Sequence, residues 1–228
     1  MLYFKQMERN LVIENLYFIP LIISAFVSVR VFAGDWPSAI KLVAVYLLFT
    51  TFIELFASAW SNWLYETNFW SFNRSNHWIY NIGFIIRYPF LFLYFGSFLP
   101  GKRTGQILVI ASIILMLLNY FLFEGILALN SYTVLLTFSI TLFLCFWFYR
   151  YIFLKKEIVN LLKATEFWIA SGLLFYHAAT LPLFFVLTKL NSESKLLSSA
   201  YYYLNDPLNI IMYTLLTIAF LCRPKFLQ

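Results

Sequence analysis

Charge is what this sequence has least of. Charged residues fill only 11% of the 228 positions, where a soluble domain carries roughly 25%. Hydrophobic residues make up 62% and the mean hydropathy is +0.79, so a soluble globular protein and a disordered chain are both excluded. Two cysteines, Cys145 and Cys222, are too few for a disulfide scaffold. Both fall inside apolar runs, where a thiol serves as a small packing residue. Two histidines leave a zinc hydrolase short of its three ligands, since His77 stands near a membrane surface and His177 at mid-depth. No metal is expected. No Gly-rich phosphate loop, nucleophile elbow or Cys-x-x-Cys occurs, and no cofactor is implied. The last apolar run has no lysine for a retinal Schiff base. Low-complexity tracts are missing, and the likeness of Thr67-Asn68-Phe69-Trp70 to Thr165-Glu166-Phe167-Trp168 is too short to be a repeat.

What the chain does have is long apolar runs. A helical membrane span needs roughly 20 apolar residues. Charges and turn residues divide the sequence into seven candidates: about 16–32, 39–60, 77–99, 106–123, 132–148, 167–188 and 207–222. Gly34-Asp35-Trp36-Pro37 and Pro100-Gly101-Lys102-Arg103 read as turns between them. The runs are too long for barrel strands and do not alternate. The expected fold is therefore all-α: one polytopic domain over 1–228, a bundle of seven transmembrane helices with no room for a soluble domain.

Lysine and arginine set the direction. Arg30, Lys41, Lys102, Arg103, Arg150, Lys155, Lys156, Lys163, Arg223 and Lys225 gather on one side, ten against five for Lys5, Arg9, Arg74, Lys189 and Lys195, with Arg87 inside a span. The richer side is expected to be cytoplasmic, which puts the N-terminus outside and the C-terminus inside. Val31-Phe32-Ala33 has the spacing of a signal-peptide cleavage site, but Arg30 before it and Glu14 ahead of the apolar run argue against cleavage. The net charge of +6 suits cytoplasmic loops facing anionic lipid, and no nucleic-acid partner is implied.

Ionisable groups within spans are expensive in lipid, and so point to function or to internal pairing. Glu54 lies on a face with Thr51, Ser58 and Ser61, and Arg87 on a face with Tyr80 and Gly83. Consecutive, antiparallel spans two and three would place Glu54 and Arg87 within one or two turns of each other. They then either clamp two helices or line an outward-facing pocket. Asn119 is the polar residue of span four. Thr133, Thr137, Thr141 and Cys145 recur every four residues, as an interhelical packing stripe does. His177 precedes Pro182 in span six, where the missing N–H permits a kink. In span seven, Asp206, Asn209 and Tyr213 share a face, with Pro207 suited to a first turn and Asp206 to a cap. Glu54, Tyr80, Arg87, Asn119, His177, Asp206, Asn209 and Tyr213 are the candidate ligand-binding residues of one outer-half cavity, with no catalytic residue among them.

Glu54, Ile79-Tyr80-Asn81, Glu166-Phe167-Trp168-Ile169-Ala170-Ser171-Gly172 through Tyr176, and Asn209 through Ile218-Ala219-Phe220-Leu221-Cys222 carry a resemblance to a group of small bacterial inner-membrane proteins with seven helices. That group is similar in turn to the seven-helix membrane regions of sensor histidine kinases. The resemblance implies a bacterial inner-membrane location and a sensory or regulatory role, and it assigns no catalytic residue. The expected function is a non-enzymatic sensor or receptor that takes a small polar ligand or lysolipid from the outer face. It would signal to a membrane or cytoplasmic protein, with the basic loop from Arg150 to Lys163 as the contact. A small-solute or lipid transporter and an intramembrane lipid-modifying enzyme are the alternatives.

Overall fold

The computed structural model describes residues 16–62, 75–101, 103–128, 130–154, 160–189 and 195–222. Of the groups behind the charge bias, Lys5, Arg9, Arg74, Lys102, Lys155, Lys156, Arg223 and Lys225 lie outside the described residues, as do Thr67–Trp70 and part of the basic loop. The described chain is helical, without strands. Its helices are α1 (Phe18–Ser28), α2 (Ser38–Asn62), α3 (His77–Gly96), α4 (Thr104–Leu122), α5 (Ser131–Leu154), α6 (Thr165–Lys189) and α7 (Lys195–Leu221).

Six of these, α2 to α7, are long and apolar enough to cross a membrane. α1 closes at Val29, whose N–H reaches the Phe26 carbonyl at 3.3 Å, and one more turn follows over Arg30–Ala33. Phe18–Ala33 is about 24 Å long at 1.5 Å per residue, short of a hydrocarbon core of roughly 30 Å. An exposed apolar stripe runs down α4 through Ile107, Ile110, Ile114, Leu118 and Phe121, the last 82% exposed. Such a stripe would be a liability in water and is at home against lipid. The chain is a multi-pass helical membrane protein.

The helices fall into two compact units, residues 31–156 and residues 1–30 with 157–228. In the first, α3 is the central helix, packed against α2, α4 and α5. Where α3 turns into α4, Gly96 and Gly105 meet backbone to backbone: a Cβ on Gly96 would lie 2.5 Å from the Gly105 Cα. Only two glycines allow that crossing. In the second unit, α7 packs against both α6 and α1, although α1 is its most distant neighbour in sequence.

Two expectations change. α7 begins at Lys195, so Pro207 lies inside the helix and not at its first turn, and Asp206 does not stand at the helix start. The Tyr and Ser side chains of residues 198–203 lower the hydropathy there, yet the backbone ladder needs no apolar side chain and runs through them. Pro207 leaves the carbonyl four residues back without its helical N–H. So do Pro182 in α6 and Pro89 in α3. The threonine stripe of α5 is the packing surface expected. Thr133, Thr137 and Thr141 are buried, and the Thr137 and Thr141 hydroxyls donate back to carbonyls one turn earlier at 2.7–3.0 Å.

Candidate functional site

α2 and α3 run antiparallel, as their ring contacts show. Trp60 meets Trp78 at a centroid distance of 5.1 Å, Phe49 meets Phe90 at 5.7 Å and Tyr46 meets Tyr88 at 6.1 Å. Gly83 lets the two helices close, since a Cβ there would come within 2.8 Å of the Ile53 Cδ1. That approach sets Glu54, next to Ile53, beside the α3 face that carries Tyr80, Phe84 and Arg87.

The carboxylate of Glu54 is held by both polar groups of that face. Tyr80 donates its phenol to Oε2 at 3.0 Å. Arg87 Nη1 lies 3.8 Å from Oε1, with the two side chains only 10% and 14% exposed for Arg87 and Glu54. The Arg87 guanidinium also sits 5.0 Å from the Phe84 ring centroid and 5.6 Å from that of Tyr88. An arginine over aromatic faces keeps attraction without hydration. The ion pair is longer than the 2.7–2.9 Å of a charge-assisted hydrogen bond. Here a carboxylate, a phenol and a guanidinium, on two helices, offer both charge signs over an aromatic wall. That combination can recognise a polar or zwitterionic head group.

Asn119 is drawn into a different cluster, around the 123–130 connection. Its amide nitrogen donates to Glu124 Oε2 at 2.8 Å, Thr133 Oγ1 at 3.0 Å and Asn130 Oδ1 at 3.3 Å. Glu124 in turn accepts the backbone N–H groups of Ser131 and Tyr132 at 3.0 and 3.1 Å, which caps α5 and sets a negative charge at its positive end. From α3, Asn81 donates to the carbonyls of Ile126 and Ala128 at 2.7 and 2.8 Å, and the Tyr120 phenol donates to the Asn81 carbonyl at 2.8 Å. The amide hydrogens of Asn119 are thus committed to fastening a connection.

The remaining four candidates belong to the other unit. His177 is fully buried and bonds through Nδ1 to the Leu173 carbonyl at 2.8 Å. A carbonyl only accepts, so the ring carries its proton on Nδ1. Asp206, Asn209 and Tyr213 are all buried along one face of α7, at 8%, 7% and 2% exposure. One residue before them, Asn205 accepts the Tyr176 phenol at 3.2 Å, which ties α6 to α7.

Sequence reasoning missed Asn81, Glu124 and Asn130 as structural polar groups and Glu166 as a buried carboxylate. Glu124 and Glu166 served as span boundaries, yet Glu166 lies in the first turn of α6 at 5% exposure. The usable signal was Glu124 a few residues ahead of the helix-opening Asn130-Ser131, the sort of acidic group an N-terminus attracts. Among the described residues no group of three His, Cys, Asp or Glu could hold a metal ion. No family model, no curated protein and no solved structure matches the chain.

Proposed function

We propose that this protein is a sensor or receptor-like subunit of the bacterial inner membrane. It crosses the membrane seven times, with the apolar run at about 16–32 as the first span, the N-terminus outside and the C-terminus inside. The ten-to-five charge bias supports that direction. A reporter fused to the C-terminus should be active only in the cytoplasm, and periplasmic activity overturns the topology.

The ligand is a small polar molecule or a lysolipid. The observation that carries this reading is the Glu54–Tyr80–Arg87 cluster: a charge pair left at 3.8 Å inside apolar helices and backed by aromatic rings. A helix clamp alone is served best by short, bidentate geometry. The pair brings both charge signs together over aromatic rings, the guanidinium suited to a phosphate or carboxylate and Glu54 to an ammonium. Asp206, Asn209, Tyr213 and His177 are the candidate ligand-binding positions of α6 and α7, and Pro182 and Pro207 are the points where those helices bend most easily. A membrane or cytoplasmic protein reads the response at the basic 150–163 segment.

Ligand binding to the folded state raises stability with the logarithm of concentration above the dissociation constant. A thermal-shift screen of polar metabolites and lysolipids on the purified protein should find a stabilising compound that Arg87→Gln no longer feels. A screen without hits, or hits kept in full by Arg87→Gln, overturns the reading.

A further inference from the structure

Within the 31–156 unit, the exposed stripes of α4 and α5 each carry an arginine at the same end. On α5, Phe143, Phe146, Arg150 and Phe153 follow at steps of three or four, and all four are exposed. On α4, Arg103 stands four residues ahead of Ile107, on the face that continues through Ile110, and is exposed as well. Trp147 ties these ends together. Its Nε1 donates at 3.2 Å to the carbonyl of Phe98, just past the end of α3 and before the turn that carries Arg103. The Phe98 ring also packs on Phe148 and Tyr151 of α5, at centroid distances of 4.9 and 5.7 Å. The Arg150 guanidinium lies 5.2 Å from the centroid of that same Trp147 ring.

A cation over an indole is held by the ring and keeps its N–H donors for another partner. No carboxylate of this stretch competes for them: the sequence has no Asp or Glu between Glu66 and Glu124 or between Glu124 and Glu157. The ion pair found among the described residues is elsewhere, between Arg87 and Glu54. α5 has 24 residues, about 36 Å at 1.5 Å per residue, against a hydrocarbon core of roughly 30 Å. Arg150, one turn before the end of α5, therefore stands where hydrocarbon gives way to lipid phosphates. The arginine fork fits a phosphate with two parallel hydrogen bonds. Positive charge from two elements with no acidic neighbour favours a lipid of net negative charge over a zwitterionic one. We propose that this face of α5 binds an anionic phospholipid such as phosphatidylglycerol. Its phosphate sits on Arg150, its acyl chain runs along Phe146 and Phe143, and Arg103 adds to the attraction. The site is separate from the Arg87 cluster and stands whichever way the chain is inserted.

The test is lipid retention by the purified full chain, read by native mass spectrometry from micelles holding equal amounts of phosphatidylglycerol and phosphatidylcholine with the same acyl chains. Phosphatidylglycerol should be retained about fivefold over phosphatidylcholine. It should also raise the melting temperature by about 3–6 °C at tenfold over its dissociation constant. Arg150→Gln should cut the retention about fivefold, and should melt like the parent without lipid because the side chain is exposed. Arg150→Lys keeps the charge without the fork and should fall between the two. Lys163→Gln, which removes an exposed charge of the other unit, should leave the preference intact. Equal retention of the two lipids by the parent overturns the proposal. So does a loss with Lys163→Gln as large as with Arg150→Gln, which marks unspecific surface charge. Retention by Arg150→Lys equal to that of the parent contradicts the phosphate contact. Stabilisation by soluble glycerol phosphate equal to that by the lipid contradicts the part given to the apolar stripe.

Discussion

Two polar clusters share α3, one residue apart at Tyr80 and Asn81, and they use polarity in opposite ways. Around Asn81 and Asn119 the donors reach carbonyl, hydroxyl or carboxylate oxygens at 2.7–3.3 Å, and the oxygens belong largely to the 123–130 connection and the start of α5. Around Arg87 a charge pair stands at 3.8 Å, and the Phe84 and Tyr88 rings lie 5.0 and 5.6 Å from the guanidinium. In lipid an unmade backbone hydrogen bond has no water to fall back on. The first cluster therefore answers a structural demand. The second joins α2 to α3 through side-chain groups.

The sharpest way to break that contrast is to remove the cation. Arg87→Ala leaves Glu54 charged and buried, and should cost about 3–5 kcal/mol. Glu54→Ala with Arg87→Ala should cost clearly less than the two single losses combined. Additive losses in denaturation of the detergent-solubilised protein would show that the two groups do not interact. Next comes Asn81→Leu, which strips two connection carbonyls of their donor and should cost about 2–3 kcal/mol, with ligand response untouched. Tyr80→Phe removes one bond to a charged acceptor, and a loss of about 1–2 kcal/mol is expected by the same measurement. The smallest effect should come from Glu124→Gln, which keeps the shape of the α5 cap and loses its charge. About 1 kcal/mol is expected, and the loss should shrink in high salt.

The apolar helices and the antiparallel pairing of α2 with α3 were readable from the sequence because lipid solvates a helix by its side chains, so long apolar runs have few alternatives. Span two was expected at 39–60 and is Ser38–Asn62; span four was expected at 106–123 and is Thr104–Leu122. The Glu54–Arg87 approach was readable too, from antiparallel neighbours and matching depth. What failed was the use of charge and low hydropathy as boundaries. Glu166 is buried inside α6, and α7 runs back to Lys195 through a polar stretch, because helical hydrogen bonds propagate regardless of side-chain polarity. Asn119 shows the other limit. The residues that engage it, Glu124 and Asn130, stand in a connection whose course a periodic pattern does not describe.

The contrast between the clusters is decided most directly by the shift a lysolipid or polar metabolite produces, measured side by side on the parent, Arg87→Gln and Asn119→Leu. Asn119→Leu should melt earlier than the parent and keep the full ligand-induced shift. Arg87→Gln should lose the shift entirely. A shift abolished by Asn119→Leu and kept by Arg87→Gln would reverse the assignment and contradict the account.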